Sequence, residues 1–444
     1  MSGTQSPSNV PTKLRWIAEL TKRKDAPLTA LGHHIDQEFL KEAYRRTRKD
    51  SAPGVDGQTA KAYGEKLDEN LGSLLDRFKA GTYRAPPVRR VHIPKGDGTK
   101  TRPIGIPTFE DKVLQRAVTM VLESVYEQEF LDCSYGFRPG RSAHQALEQL
   151  GNRLMKMHGG WVLEADIQDF FGSLEHAYLR RQLDQRVRDG VLRRAIDKWL
   201  NAGIMEAGRI GYSASGTPQG GVISPLLANV YLHDVLDKWF ETEVKPRLTA
   251  EAFLIRYADD FVMVFALESD ARRVMAVLPK RLGKFSLSLH PEKTRLMYFK
   301  QPPVVRKPNN REPESFELLG FKHFWGKSRK GKWILRLKTA PSRFTRALLR
   351  VAQWCRRTLH LPVPVQHKRL VAMLHGHYAY FGVTGNIEAL KRFQWEVARR
   401  WHHWLNRRSQ RAKMTWDQFN RLLKRHPLPN PVVVHSIYRR AAKP

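Results

Sequence analysis

The sequence predicts an α+β fold in two parts. Short runs of β-branched and aromatic residues alternate with helical patterns up to about residue 325. From Pro341 onward the pattern is helical, and it is strongly basic: residues 341–444 hold 21 Lys/Arg and 3 Asp/Glu. No internal repeat and no heptad series interrupts this division.

Residues 12–50 read as helical with a basic end at Arg45, Arg46, Arg48 and Lys49. Pro-Gly and Asp-Gly pairs mark residues 51–57 as a loop. A helix is predicted over 60–79. Residues 83–94, with Pro86, Pro87 and Pro94, look extended, and Asp97-Gly98 makes the turn of a hairpin. Residues 110–130 carry an amphipathic helical pattern. Residues 160–165 read as a strand ending at Asp166, followed by helices over 174–185 and 192–200. A Gly-rich turn, 216–224, leads into a helix over 225–240. The apolar runs 253–255 and 261–265 form a hairpin with Asp259 and Asp260 at its tip. A helix over 271–285 and strands over 295–299 and 316–324 follow, with a Pro- and Asn-rich loop between the two strands. Helices then run to about Leu423, and prolines break the tail at 427–431.

The 444 residues, 41% of them hydrophobic, suffice for large buried cores. Lys and Arg number 77 against 43 Asp and Glu, a net charge of +34. That excess points to a polyanionic partner held by phosphate neutralisation and counterion release, with a membrane surface as the competing reading. No apolar segment is long enough to span a bilayer, and no signal-peptide pattern opens the chain. Cys133 and Cys355, far apart, exclude a disulfide framework and a Cys-pair zinc module, which suits a reducing, cytoplasmic setting.

Two carboxylates held at a buried hairpin tip raise each other's pKa, and a divalent cation relieves the repulsion. A solvated Asp-Asp turn is the alternative. Asp166, at its strand end, is a third carboxylate able to converge with Asp259 and Asp260; its alternative role is a helix N-cap. Three carboxylates sharing two Mg²⁺ ions suit in-line phosphoryl transfer.

Tyr257-Ala258-Asp259-Asp260 resembles the Tyr-x-Asp-Asp box of reverse transcriptases, and further blocks appear in that family's order. They are Arg102-Pro103-Ile104-Gly105-Ile106-Pro107-Thr108, Tyr135-Gly136-Phe137-Arg138-Pro139-Gly140-Arg141-Ser142, Asp166 to Phe171, Gly216-Thr217-Pro218-Gln219-Gly220-Gly221, Leu289-His290-Pro291-Glu292-Lys293-Thr294 and Leu318-Leu319-Gly320-Phe321. Their wording is similar to that of bacterial group II intron reverse transcriptase–maturases. Residues 375–381 and 407–411 resemble that family's maturase region.

The resemblance implies a right-hand polymerase: fingers and palm with an antiparallel sheet, then an all-helical thumb and maturase domain. The implied segments are an RNA-binding extension (1–84), fingers and palm (85–325), thumb and maturase domain (326–408) and a basic DNA-binding tail (409–444). Asp166, Asp259 and Asp260 would be the catalytic metal ligands for two Mg²⁺ ions, with the Ile167 carbonyl as a further ligand. Phe171 falls where the family excludes a sugar 2′-OH; strand alternation favours it over Phe170, one of which is a core residue. Lys95, Arg102 and Gln219 would meet the incoming deoxynucleoside triphosphate, or form a plain hairpin rim and turn. Gly220 and Gly221 would let backbone approach closely.

Arg138 and Arg141 would hold template phosphates, and Lys293 is either a nucleic-acid contact or a surface lysine. In the basic helices Arg399, Arg400, Arg407 and Arg408 would face RNA, while most of the tryptophans would form the helical core. His375, His377, His402 and His403 would pack or touch RNA rather than bind metal. Many relatives end in a DNA endonuclease domain with paired cysteines; nothing like it precedes Pro444, so an existing DNA 3′ end would serve as primer.

The expected function is RNA-directed DNA synthesis joined to maturase action on group II intron RNA. The partners would be intron RNA, a DNA target or primer and deoxynucleotides, with no membrane. A host-adopted reverse transcriptase for repair or phage defence, and a splicing factor with vestigial polymerase activity, remain open.

Overall fold

A computed structural model describes residues 9–95, 100–206, 208–211, 220–303, 312–328, 330–409 and 413–436. The chain divides into two compact units. The first takes Met1–Ser142, Ala165–Met263 and Glu268–Arg295; the second takes Ala143–Glu164, Val264–Leu267 and Leu296–Pro444.

In chain order the elements begin with helices α1 (Val10–Arg23), α2 (Gln37–Arg46), α3 (Ala60–Glu65) and α4 (Leu67–Ala80). The expected single helix over 12–50 is broken by a 3₁₀ turn at Gly32–His34, and the one over 60–79 is split at Lys66. Helix α2 starts where the Asp36 carboxylate accepts the Phe39 amide at 3.0 Å, and α4 stops at Gly81, in the left-handed region at φ +76°.

Strands β1 (Val88–Lys95) and β2 (Lys100–Ile106) pair antiparallel, with Arg102 opposite Ile93. Two short strands not foreseen in the sequence, β4 (Ile204–Glu206) and β5 (Arg209–Gly211), complete a sheet of order β2-β1-β4-β5. Helix α5 (Phe109–Tyr126) is buried on nearly every face, and α1 and α2 pack on it. Its Asp111 is buried but accepts from Tyr83 Oη, Trp199 Nε1 (2.6 Å) and Gln115 Nε2 (3.1 Å). Burial pushes that carboxyl up to about 6, against the pull of those three donors.

Helix α6 (Ala143–Lys156) precedes β3 (Trp161–Gln168), which runs two residues past the predicted end at Asp166. After it come α7 (Phe170–Ser173), α8 (His176–Arg186) and α9 (Gly190–Leu200). The helix expected over 225–240 is two structures: α10 (Ser224–Leu232) and a π-helix, His233–Val244. The predicted hairpin is β6 (Ala252–Tyr257) and β7 (Asp260–Phe265). With α11 (Glu268–Gly283), β8 (Ser288–Leu289) and β9 (Arg295–Tyr298) in place, the central sheet has the order β6-β7-β3-β8, and β9 also pairs with β3.

Strands β10 (Phe316–Leu318), β11 (Phe321–Lys327) and β12 (Trp333–Thr339) form a third, antiparallel sheet. The expected segment boundary after residue 325 therefore falls inside β11, whose every residue is in register with β12, and is corrected: the all-helical part begins at Pro341. Helices α12 (Pro341–Arg357), α13 (Val363–Phe381), α14 (Ile387–Leu405) and α15 (Trp416–Arg425) close round Leu348, Leu370, Leu390, Val397, Trp401 and Phe419. Trp401 is fully buried, its indole N–H donating to Gln366 Oε1 at 2.8 Å, while Trp354 and Trp404 pack beside the cluster. Trp395 and Trp416 are exceptions to the expected core role, half exposed on the surface.

Two core imidazoles predict a pH dependence. His323 lies flat on Phe316, centroids 4.5 Å apart, and His377 on Phe393 at 3.7 Å. Burial lowers each pKa from 6.5 to about 4. The folded state thus binds fewer protons, so this stability is whole above about pH 6.5 and is lost as pH falls toward 4. Denaturation across that range should show the decline, and His323→Phe should flatten part of it. In the helical core, Trp401→Ala should cost about 3–5 kcal/mol in urea melts.

Candidate active site

The β6–β7 turn is two residues long, Ala258 and Asp259. Ala258 adopts φ +58°, a region costly for a residue with a Cβ. Asp259 is half-buried, and Asp260 opens β7 exposed to solvent. Strand β7 neighbours β3 in the sheet, which brings the hairpin tip beside Asp166.

Burial pushes the Asp259 carboxyl up from its ordinary range, and the Asp166 charge adds to the rise. Arg102 and Lys293 pull the other way. All four groups therefore share one electrostatic neighbourhood, and two of the three aspartates expected to converge act on each other there. On β3, the Asp166 carbonyl accepts the His290 amide at 2.8 Å, and Ile167 faces Leu289 across the β3–β8 pair. Residues 290–294 then turn back, with the Lys293 and Thr294 amides on the His290 carbonyl, and the Lys293 ammonium forms an ion pair with Asp166. Lys293, expected as a nucleic-acid contact or a surface lysine, is exposed and pairs with Asp166.

Among the described residues no group of three or more His, Cys, Asp or Glu side chains is arranged around a metal position. The carboxylate oxygens themselves, with Asp166 near enough to raise Asp259, suit a hard divalent ion such as Mg²⁺.

Arg102, exposed on β2, is the one nucleotide candidate among the described residues whose charge reaches Asp259. Lys95 ends β1 opposite Lys100, its side chain outside the described residues; Gln219 lies outside them altogether. The next residue, Gly220, has φ +119°, and a Cβ there would stand 2.5 Å from the Gly105 carbonyl of β2. The close approach at Gly220 is to the backbone of β2. Gln115, which sequence reading missed, anchors this turn by accepting the Val222 amide at 2.7 Å. Its signal was an amide one helical turn after Asp111, on the same face of α5.

Phe170 is buried and Phe171 half-buried, their rings 5.3 Å apart and steeply inclined. The core partner is thus Phe170, packed on Tyr231. The reason is not strand alternation: both lie in the one-turn helix α7, entered through Asp169 at φ +40°.

Arg138 does not project as a phosphate ligand. It is buried, bonded to Glu127 and to the carbonyls of Leu131 and Ser134 at 2.8 Å, so its guanidinium holds its own loop together. Arg141 is more open, 2.5 Å from Asp132 and 5.5 Å above the Tyr135 ring. On α14, Glu396 pairs with both Arg399 and Arg400, and Arg399 stacks over exposed Trp395 at 4.8 Å. Arg407 and Arg408 are exposed, Arg408 donating to the Leu361 carbonyl at 2.5 Å. His402 Nε2 donates to the Met414 carbonyl at 2.8 Å.

Residues 93–323, just over half of the chain, match the family described as reverse transcriptase (RNA-dependent DNA polymerase). The chain is 41% identical over 210 residues to the group II intron-encoded protein LtrA of Lactococcus lactis subsp. cremoris, covering 45% of this chain and 34% of LtrA. It is 33% identical over 298 residues to the protein YkfC of Escherichia coli (strain K12), covering 58% of this chain and 76% of YkfC. It is 27% identical over 224 residues to the mitochondrial nuclear intron maturase 2 of Arabidopsis thaliana, covering 41% of this chain and 29% of that protein. The chain thus spans about a third of the length of LtrA.

The Lys293 pairing makes a direct prediction. Lys293→Ala removes a charge that favours ionised Asp259, so the Asp259 pKa should rise further. A carboxyl-carbon NMR titration would read this, and an unmoved Asp259 would refute the shared neighbourhood.

Proposed function

Because this chain belongs to the reverse transcriptase (RNA-dependent DNA polymerase) family, we propose that it extends a primer 3′-OH with deoxynucleotides on an RNA template. The observation that carries the reading is the placing of Asp166 and of the Asp259-Asp260 turn on neighbouring strands of one sheet, with Lys293 paired to Asp166. In this reading the central sheet is the palm, the β1–β2 hairpin belongs to the fingers, and the helices from Pro341 form the thumb and maturase domain.

Reverse transcriptases generally use Mg²⁺, and Asp166, Asp259 and Asp260, with the Ile167 carbonyl, would hold it. Two bound ions would acidify the attacking hydroxyl and neutralise charge on the transferring phosphate. The protein's own groups do the rest. Arg102 and Lys95 offset triphosphate charge without reading base identity. Gln219 would meet the nucleotide. Phe171, half-buried, would bar a 2′-OH.

The maturase reading rests on the named relatives: LtrA is a group II intron-encoded protein, and the Arabidopsis relative is an intron maturase. Group II intron RNA is accordingly the proposed RNA partner, held by the cationic helices through exposed Arg399, Arg407 and Arg408, with a DNA target or primer at the polymerase site. Among the described residues no helix is long and apolar enough to cross a membrane.

Primer extension on an RNA template tests the assignment. Asp259→Ala and Asp260→Ala should each lower nucleotide addition by about 10²–10³-fold. Retained synthesis would overturn the catalytic roles. Phe171→Ala should raise ribonucleotide incorporation relative to deoxynucleotide, read in the same assay.

A further inference from the structure

Behind the Tyr257-Ala258-Asp259-Asp260 turn lies a buried polar cluster that the reaction does not touch. Arg256 and Asp237 are both fully buried and form a bidentate ion pair, Nε to Oδ1 at 2.7 Å and Nη2 to Oδ2 at 2.6 Å. Nη2 also donates to Ser134 Oγ at 2.7 Å, and Nη1 donates to Asn229 Oδ1 at 2.9 Å and the Ala258 carbonyl at 3.0 Å. All five guanidinium N–H groups therefore have acceptors, and one of them is the peptide in the left-handed conformation.

The preceding peptide, Tyr257–Ala258, is hemmed in as well. A Cβ on Gly136 would stand 2.4 Å from the Ala258 nitrogen, so backbone lies directly against backbone. Asn229 ties the two sides, its Nδ2 donating to the Gly136 carbonyl at 2.7 Å. Residues 133–135 run along β6, with the Arg256 amide on the Cys133 carbonyl at 2.8 Å and the Tyr135 amide on the Arg256 carbonyl at 2.9 Å. The π-helix serves this arrangement. Eight residues separate Asn229 from Asp237, which a regular α-helix would turn roughly 80° apart. The wider π turn from His233 reduces that angle and brings both side chains to one guanidinium.

We propose that Arg256, Asp237 and Asn229 are positioning residues that clamp the Ala258 peptide and so fix the aim of the Asp259 carboxylate. The inference rests on the reading of Asp259 as a catalytic ligand, and it adds residues that no sequence motif marked. A pair kept only for stability would be dispensable, since apolar replacements of both partners commonly restore a fold. A clamp is not replaceable in that way, because Leu and Met donate nothing to the Ala258 carbonyl.

The test uses the double variant Arg256→Met with Asp237→Leu, and the milder Ser134→Ala, which keeps the ion pair. Primer extension should show kcat about 100-fold lower in the double variant and about tenfold lower in Ser134→Ala, with the nucleotide KM little changed. Mn²⁺ titration followed by electron paramagnetic resonance should show weakened metal binding in both, at temperatures where circular dichroism shows folded protein. Folded variants with wild-type kcat and wild-type Mn²⁺ affinity would overturn the clamp. Asp259→Ala runs in parallel: activity surviving there refutes the polymerase reading itself, while the Mn²⁺ titration still decides the clamp. If the double variant fails to fold, Asn229→Ala decides, since it removes the amide that joins Arg256 to the Gly136 carbonyl: wild-type kcat and Mn²⁺ affinity in it overturn the clamp.

Discussion

Like charge is the constraint around which the first unit is organised. Asp166 and Asp259 stand close enough on neighbouring strands for one to raise the other's pKa, at a turn that is already half withdrawn from water. Such a site persists only if the surrounding fold holds it. The hold comes from three directions: the Lys293 ammonium on Asp166, the Arg102 charge reaching Asp259, and the buried Arg256–Asp237 pair beneath the turn. The sheet order follows the same need, because only strands that sit side by side bring residue 166 to residue 259.

The carboxylate blocks of the candidate site were legible because they are short, local and chemically distinctive: an Asp-Asp turn between apolar runs and an Asp in a strand. The α+β class was legible for the same reason. What escaped was everything decided by partners far away in sequence. Arg138 has the composition of a phosphate ligand, and only its neighbours Glu127, Leu131 and Ser134 reveal an internal brace. Lys293 lies 127 residues from Asp166, and no local pattern announces that pair. Strand β12 was missed because its alternating apolar residues sit among lysines and arginines, and its pairing with β11 is what makes it a strand. The π-helix gave no periodic signal separable from an α-helix.

The basic helices illustrate a division of labour among side chains of one type. Trp401, at the centre of the helical core, and Trp395, half exposed under Arg399, sit on the same helix yet on different faces. Aromatic content alone therefore says little about nucleic-acid contact. Exposure separates the two kinds of tryptophan: the buried one orders the core through Gln366, and the open one offers a flat surface with a cation already stacked on it.

Gly136 sits on none of the carboxylates, yet its missing side chain sets a tolerance for the whole site. With the Ala258 nitrogen 2.4 Å from where a methyl would begin, there is no slack into which the loop alone could retreat. Any added carbon there must be accommodated by the turn itself, so the displacement is passed on to the carboxylate next in the chain. A position remote from the chemistry would then behave, in its phenotype, as though it belonged to the reaction, and tolerance to substitution would fall off along backbone contact rather than with distance from the phosphate.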